Sequence, residues 1–103
     1  MSASSIATVA ESVRSGSVSA ASLLDEHLGR IAAREDEIHA FNLVTTETAR
    51  EQAAAVDAAV ARGDDPGPLA GVTVALKDNM CTRGIPTTCS SRILDGWTPP
   101  YDA

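Results

Sequence analysis

The sequence predicts an α/β protein in which helices come first and the strands of a sheet follow. Three observations lead to this fold class. Residues 1–63 are dominated by apolar residues at helical spacing, and residues 41–45 alternate as a short strand does. Residues 69–76 form a nearly continuous apolar run, which is typical of a strand buried on both faces of a parallel sheet. Two strands and three helices do not make a closed or well-covered sheet, so we expect the fold to be incomplete in these 103 residues.

Three helices are expected, over residues 6–16, 19–34 and 47–62. Each has an apolar face and local start and stop signals. The expected caps are Ser4 or Ser5, then Ser19, then Thr46, and the expected stops are Gly16, about Arg34 and Gly63. The apolar faces consist of Ile6, Val9, Ala10 and Val13, of Leu24, Leu28 and Ile31, and of Ala49, Ala53, Val56 and Val60.

The charge balance and the absence of long apolar runs exclude some classes of function. With 14 acidic against 8 basic residues the net charge is −6, so we do not expect this segment to bind nucleic acid directly. No apolar run reaches the roughly 18–20 residues that span a bilayer. The N-terminus lacks the basic start and apolar stretch of a signal peptide. We therefore expect a cytoplasmic location.

Two cysteines, Cys81 and Cys89, lie in the irregular last third of the chain, with seven residues between them. This spacing matches no common zinc or redox pattern, and His27 and His39 lie far upstream and are expected to be solvated. We expect free thiols, no metal site and no cofactor in this segment.

Lys77 is the only lysine, whereas the other seven basic residues are arginine. It directly follows the apolar run, at the carboxyl end of the predicted strand, where reacting groups gather in open α/β sheets. A desolvated lysine can lose its proton, and an arginine in a protein cannot. Lys77 is therefore the candidate for a proton-transferring amine. The alternative is that it ends a strand and reaches into solvent, with Asp78 as a local partner.

Three stretches of the last third resemble the start of the amidase signature family. They are GPLAGVTVALKDN at residues 67–79, GIPTTCSS at residues 84–91 and PYDA at residues 100–103, and the first two follow the family pattern KDN…G.PTT.GS. The cysteines in NMCTRG and TTCSS make the chain most similar, within that family, to the A subunits of aspartyl/glutamyl-tRNA(Asn/Gln) amidotransferases. The helices and HAFNLVT at residues 39–45 also fit, so the resemblance covers essentially the whole chain.

The resemblance implies that residues 1–103 are the N-terminal part of a single amidase domain. Residues 1–63 would be mostly helical, and residues 69–103 would carry the first core strand and an active-site loop of a mixed sheet covered by helices. It also implies a Ser–cis-Ser–Lys triad, in which Lys77 is the general base and proton relay. Such a pair needs an amine whose pKa is lowered to about 7–8 by burial and neighbours. The family's nucleophilic and bridging serines belong to a Gly/Ser-rich segment that is not among these residues.

Asp78 and Cys89 are the supporting candidates of the implied site. Asp78 would orient the lysine or bond nearby backbone, and Cys89 would line the site as a small apolar residue. A nucleophilic role for Cys89 is not expected without a nearby histidine. Ser90 and Ser91 are expected to satisfy the loop backbone with their hydroxyls, and Ser90 stands where the family usually has alanine or glycine.

Three functions are compatible with these residues. The first is a glutamine amidohydrolase subunit that supplies ammonia to the enzyme converting Glu-tRNA(Gln) or Asp-tRNA(Asn) to Gln-tRNA(Gln) or Asn-tRNA(Asn). That enzyme is a carbon–nitrogen ligase, and the resemblance implies B and C subunits in a heterotrimer, with ATP, magnesium and charged tRNA at a partner subunit. The second is a general amidase that acts on another amide. The third is a truncated, non-catalytic fragment. Under any of the three functions, we do not expect this chain to be active alone.

Overall fold

The computed structural model describes residues 4–103, which fall into two compact units. The first unit ends at Thr73 and contains the helices α1 (Ile6–Arg14), α2 (Ala20–Ile38) and α3 (Thr46–Ala61). The second unit, Val74–Ala103, contains a one-turn 3-10 helix, Arg92–Leu94, and one isolated antiparallel bridge between Thr82 and Ile85.

Helix α1 begins at the predicted residue and ends at Arg14, two residues before the predicted end at Gly16. Ser5 has extended backbone, and its hydroxyl accepts the N–H of Thr8 at 3.1 Å. This bond satisfies one of the free donors in the first turn of a helix. After Arg14 the chain turns through Gly16, which has a φ of +82° that a glycine adopts without a Cβ clash.

Helix α2 begins at the predicted cap and has a second cap that the sequence did not reveal. The Ser19 hydroxyl accepts the N–H of Ser22 at 3.1 Å. Asp57, on α3, accepts the N–H groups of Ala20 at 2.7 Å and Ala21 at 3.1 Å. A carboxylate at a helix N-terminus is stabilising because the free N–H groups there carry partial positive charge. Asp57 therefore couples the start of α2 to α3.

The predicted end of α2 at about Arg34 is wrong, because the helix continues to Ile38. It ends at His39, which takes the left-handed conformation with a φ of 52° and donates its N–H to the carbonyl of Glu35 at 2.7 Å. This conformation is usual for glycine at helix ends and uncommon for histidine. The sequence therefore lacked the glycine that would have marked the end.

Helix α3 lies within one residue of its predicted range, but its cap differs. Thr46 is the first helical residue, and the capping position belongs to Thr45, which makes no side-chain cap bond. The predicted cap at Thr46 is wrong. The predicted stop is confirmed, because the chain leaves the helix through Arg62 and Gly63, the latter with a φ of +79°.

The core of the helical unit is small and rich in alanine. It consists of Val13, Ala20, Leu24, Ala53 and Ala70, with Leu23, Leu28, Ala49, Val56 and Val60 packed against it. The predicted apolar faces are largely confirmed. Ile6, in the first turn of α1, is 61% exposed, and Val9 and Ile31 are half-buried and lie outside this core.

Neither predicted strand is confirmed in residues 4–103. Residues 41–45 are irregular, residues 69–71 form a turn and residues 72–77 have no regular structure. A strand needs a neighbouring backbone to pair with, and residues 73–76 make no backbone-to-backbone hydrogen bond with the described chain. The side chains of the run are consequently exposed, with Leu69 at 59%, Val74 at 69% and Leu76 at 57%. The helical part of the predicted α/β class is confirmed, and the mixed sheet is not.

No helix within residues 4–103 combines the length and apolarity needed to cross a membrane.

Gly71 lies too close to α1 to accept a side chain. Its φ is +72°, and a Cβ built on it would stand 2.5 Å from Cγ2 of Val13, which is 1% exposed. We predict that Gly71→Ala lowers the free energy of unfolding by about 2–4 kcal/mol, from overpacking together with strain at positive φ. Urea unfolding followed by far-UV circular dichroism measures the change.

Gly63→Ala is the matched control for this prediction. Gly63 has a similar φ of +79°, but nothing lies within 4 Å of its would-be Cβ. The control therefore carries the strain without the clash, and it should lower the free energy of unfolding by only about 1 kcal/mol. Equal losses in the two variants would show that contact with Val13 does not set the cost at Gly71.

Candidate active-site loop

Lys77 lies near the start of the second unit, and its side chain is exposed. It does not end a strand, because residues 72–77 are irregular. Its carbonyl accepts the N–H of Met80 at 3.0 Å, which closes a tight turn over residues 77–80. The candidate amine therefore stands on a turn that is open to other groups.

Asp78 fastens this turn to a second one. Its Oδ1 accepts the N–H of Thr88 at 2.8 Å, and its Oδ2 accepts the Thr88 hydroxyl in a short hydrogen bond. The main-chain carbonyl of Asp78 accepts the N–H of Cys89 at 2.8 Å. Hydrogen bonds to a carboxylate are charge-assisted and stronger than those between neutral groups. Of the two roles predicted for Asp78, the structure shows the bond to nearby backbone, and orientation of the lysine stays a prediction.

The second turn, residues 88–91, has two left-handed residues at its centre. The N–H of Ser91 donates to the carbonyl of Thr88 at 2.8 Å, while Cys89 and Ser90 have φ values of 51° and 59°. Positive φ at both central positions is the feature of a type I′ turn, which favours glycine and asparagine. Holding an ordinary side chain there costs about 1–2 kcal/mol per residue. The turn that follows the lysine turn is therefore strained.

Hydroxyl groups supply much of the remaining bonding in this loop. The Thr88 hydroxyl accepts the N–H of Ser90 at 3.2 Å, and the Ser91 hydroxyl accepts the N–H of Ile93 at 3.3 Å, where it caps the 3-10 helix. The role predicted for Ser91 is confirmed. Sequence reasoning missed Thr88, although its place in the PTT motif, ten residues after Asp78, was the available signal.

The two cysteines are free thiols with different surroundings. Cys89 is exposed in the strained turn, and its role in lining the site stays a prediction. Cys81 is half-buried. Its interaction with the side chain of Tyr101, by hydrogen bonding and by charge, raises the pKa of the Tyr101 phenol above its usual value. A main-chain hydrogen bond joins the same two segments, since the N–H of Ala103 donates to the carbonyl of Cys81 at 2.8 Å.

The histidines lie outside this loop. His27 is half-buried, and its Nδ1 is 3.0 Å from the Thr73 hydroxyl, so this histidine has a protein partner that the sequence did not indicate. His39 is exposed, as expected. No three side chains of His, Cys, Asp or Glu come together as metal ligands in the described part of the chain.

Two surface concavities of the described chain lie away from the candidate residues. One of about 330 Å³ lies between the ends of α1 and α3, and another of about 180 Å³ lies beside the end of α2. Neither is lined by Lys77, Asp78 or Cys89. Of these residues, Lys77 and Cys89 are exposed and Asp78 is half-buried.

The chain belongs to the amidase family, whose family model matches residues 22–103. Among the curated proteins that it resembles are A subunits of glutamyl-tRNA(Gln) amidotransferases. That of Synechococcus sp. (strain RCC307) is 53% identical over 93 residues, and that of Salinispora arenicola (strain CNS-205) is 54% identical over 99 residues. The matches cover 90% and 96% of this chain but 19% and 20% of those relatives. The chain thus spans about a fifth of their length.

A solved structure shares the fold of this chain. It is the inhibitor-bound form of a vestigial protein complex that is described as revealing the evolutionary origins of an s-triazine catabolic enzyme. The TM-score is 0.90 at 34% sequence identity, and the match covers 97% of this chain and 22% of that one. The fold of these residues therefore recurs as part of a much longer chain.

The pairing of Cys81 with Tyr101 can be tested by titration, because Tyr101 is the only tyrosine. We predict that Cys81→Ala lowers the pKa of Tyr101 towards its usual value, since the variant removes both the hydrogen-bond partner and the negative charge that disfavour the phenolate. Phenolate absorbance measured against pH reports this group alone. Cys89→Ala is the control and should leave the titration unchanged. No difference between the two variants would contradict the assignment.

Proposed function

We propose that these residues are part of a glutamine amidohydrolase subunit that supplies ammonia to a tRNA-dependent amidotransferase. The observation that carries the proposal is the 53% identity, over 90% of this chain, to a relative named as the A subunit of a glutamyl-tRNA(Gln) amidotransferase. The complete reaction converts Glu-tRNA(Gln) to Gln-tRNA(Gln), or Asp-tRNA(Asn) to Asn-tRNA(Asn), with glutamine as the amido donor.

In the proposed mechanism Lys77 is the general base and proton relay of a Ser–cis-Ser–Lys triad. The amine takes the proton of the nucleophilic serine through the bridging serine, as the serine attacks the amide carbon of glutamine. It then helps to deliver that proton to the departing ammonia, and water releases glutamate from the acyl-enzyme. The exposure of Lys77 supports this arrangement, because a side chain on an open turn is accessible to serines outside residues 1–103.

The proposed partners are B and C subunits that form a heterotrimer with the chain carrying Lys77. ATP and magnesium would bind at the partner subunit, which would also contact the charged tRNA. The net charge of −6 supports this division, since binding to nucleic-acid phosphates depends on clustered lysine and arginine.

A general amidase acting on another amide is the second candidate. It is favoured by the likeness, at a TM-score of 0.90, to the complex described in terms of an s-triazine catabolic enzyme. Stimulation of glutamine hydrolysis by the partner subunits and charged tRNA would support the amidotransferase. Hydrolysis of another amide, without stimulation, would favour the general amidase.

Lys77→Ala and Lys77→Arg in the full-length protein test the catalytic lysine. We expect either change to lower the rate of ammonia release at saturating glutamine by about a thousand-fold or more, since alanine has no amine and arginine keeps its proton. Arg92→Ala, at another exposed basic residue of the same unit, is the control and should retain normal turnover. Near-normal activity of either Lys77 variant would show that the assignment is wrong.

The 103-residue chain alone is expected to hydrolyse no glutamine, because the proposal places the nucleophilic and the bridging serine outside residues 1–103. The measurement is ammonia release by the purified polypeptide, with a full-length preparation as the positive control. Glutamine turnover by the short chain, abolished by Lys77→Ala, would contradict the proposal that both serines lie elsewhere.

A further inference from the structure

We propose that Asp78 and Thr88 are positioning residues that hold the main chain from which Lys77 presents its amine. The contacts of Asp78 with Thr88 and Cys89 form the Asp78 clamp. The proposal rests on the proposed catalytic role of Lys77 and adds a function for two residues that do not themselves transfer the proton.

The backbone around Lys77 is held by hydrogen bonds on its C-terminal side. On the N-terminal side, residues 73–76 make no backbone-to-backbone hydrogen bond with the described chain. On the C-terminal side, the carbonyl of Lys77 accepts the N–H of Met80, and Asp78 accepts three hydrogen bonds through its side chain and main chain. Asp78 is joined to Lys77 by one peptide bond. The torsions that direct the Lys77 side chain are therefore restrained from the C-terminal side.

The turn at residues 88–91 is strained at its two central residues. Left-handed Cys89 and Ser90 persist only if surrounding bonds outweigh the cost of their conformation. The Thr88 hydroxyl provides such bonds in both directions, because it accepts the N–H of Ser90 and donates to the carboxylate of Asp78. One hydroxyl thus joins the strained turn to the turn of the lysine. Strain of this kind is concentrated at sites where geometry matters for function.

Thr88→Val and Thr88→Ser form the matched pair of variants. Valine keeps the shape and the main-chain N–H bond to Asp78 but removes the hydroxyl, with its donor and its acceptor. Serine keeps the hydroxyl and loses only a methyl group. A role that depends on the hydroxyl predicts a defect in the valine variant that the serine variant does not share.

The first measurement needs no activity. Because the 103-residue chain has a single lysine, a protease that cleaves only after lysine cuts it at one bond, between Lys77 and Asp78. The cleavage rate under native conditions reports how often that turn opens. We expect Thr88→Val to be cut about five- to thirty-fold faster than wild type, from the loss of two hydrogen bonds, and Thr88→Ser to be cut at nearly the wild-type rate. Equal rates for wild type and Thr88→Val would overturn the clamp.

The second measurement separates positioning from simple support of the fold. In the full-length protein we expect Thr88→Val to lower kcat for glutamine hydrolysis by about ten- to a hundred-fold, with KM unchanged, because a misplacement of about 1 Å has effects of this size. Thr88→Ser should restore kcat. An unchanged kcat, or a loss of kcat shared by the serine variant, would overturn the positioning role.

Failure of the proposed function gives a different result. If the wild-type full-length protein hydrolyses no amide, the proposed function is wrong, and so is the catalytic role of the Asp78 clamp. The cleavage rates would still show whether Thr88 holds the Lys77 turn.

Discussion

The contact between Gly71 and Val13 is the constraint on which the helical unit depends. Val13 is one of the largest fully buried side chains, and the other core residues include the small Ala20, Ala53 and Ala70. Each alanine contributes little hydrophobic free energy, so stability depends on close approach of the backbones. A residue without a Cβ at position 71 lets the chain pass directly over Val13. This passage brings Ala70 into the core that the three helices form.

Asp57 stabilises the same unit through charge-assisted hydrogen bonds. Asp57 lies on α3, and its carboxylate accepts two N–H groups at the start of α2. One side chain therefore caps α2 and fixes how α2 is placed along α3. Local capping by Ser19 and tertiary capping by Asp57 satisfy different donors of the same turn. Capping by these two side chains therefore adds to the close packing of small residues in the core of this unit.

Features with local causes could be predicted from the sequence. Caps at Ser5 and Ser19 and stops at Gly16 and Gly63 depend on neighbouring residues, and the structure has them where expected. The end of α2 at His39 could not be predicted in this way, because no local sequence signal marks a histidine that takes the left-handed conformation.

The strands could not be decided from composition. An apolar run shows that a segment is suited to burial, but not which surface buries it or which backbone pairs with it. Within the described residues Ala70 finds a core, whereas Val74 and Leu76 do not. In the loop, Lys77 stood out as the only lysine of the chain, whereas Thr88 acts through a partner ten residues away. That pairing depends on two turns whose geometry the sequence does not give.

The exposure of the mostly apolar residues 73–76 and the exposure of Lys77 are related, because these residues are adjacent in the chain. A lysine that acts as a base must be taken out of water, since desolvation disfavours its charged form. Lys77 directly follows Leu76, which is 57% exposed, and the chain spans about a fifth of the relatives that it resembles. Any surface that pairs with residues 73–76 would remove both the apolar side chains and the neighbouring amine from solvent. Under the proposed mechanism, the hydrophobic free energy of covering that run would offset the cost of desolvating the base.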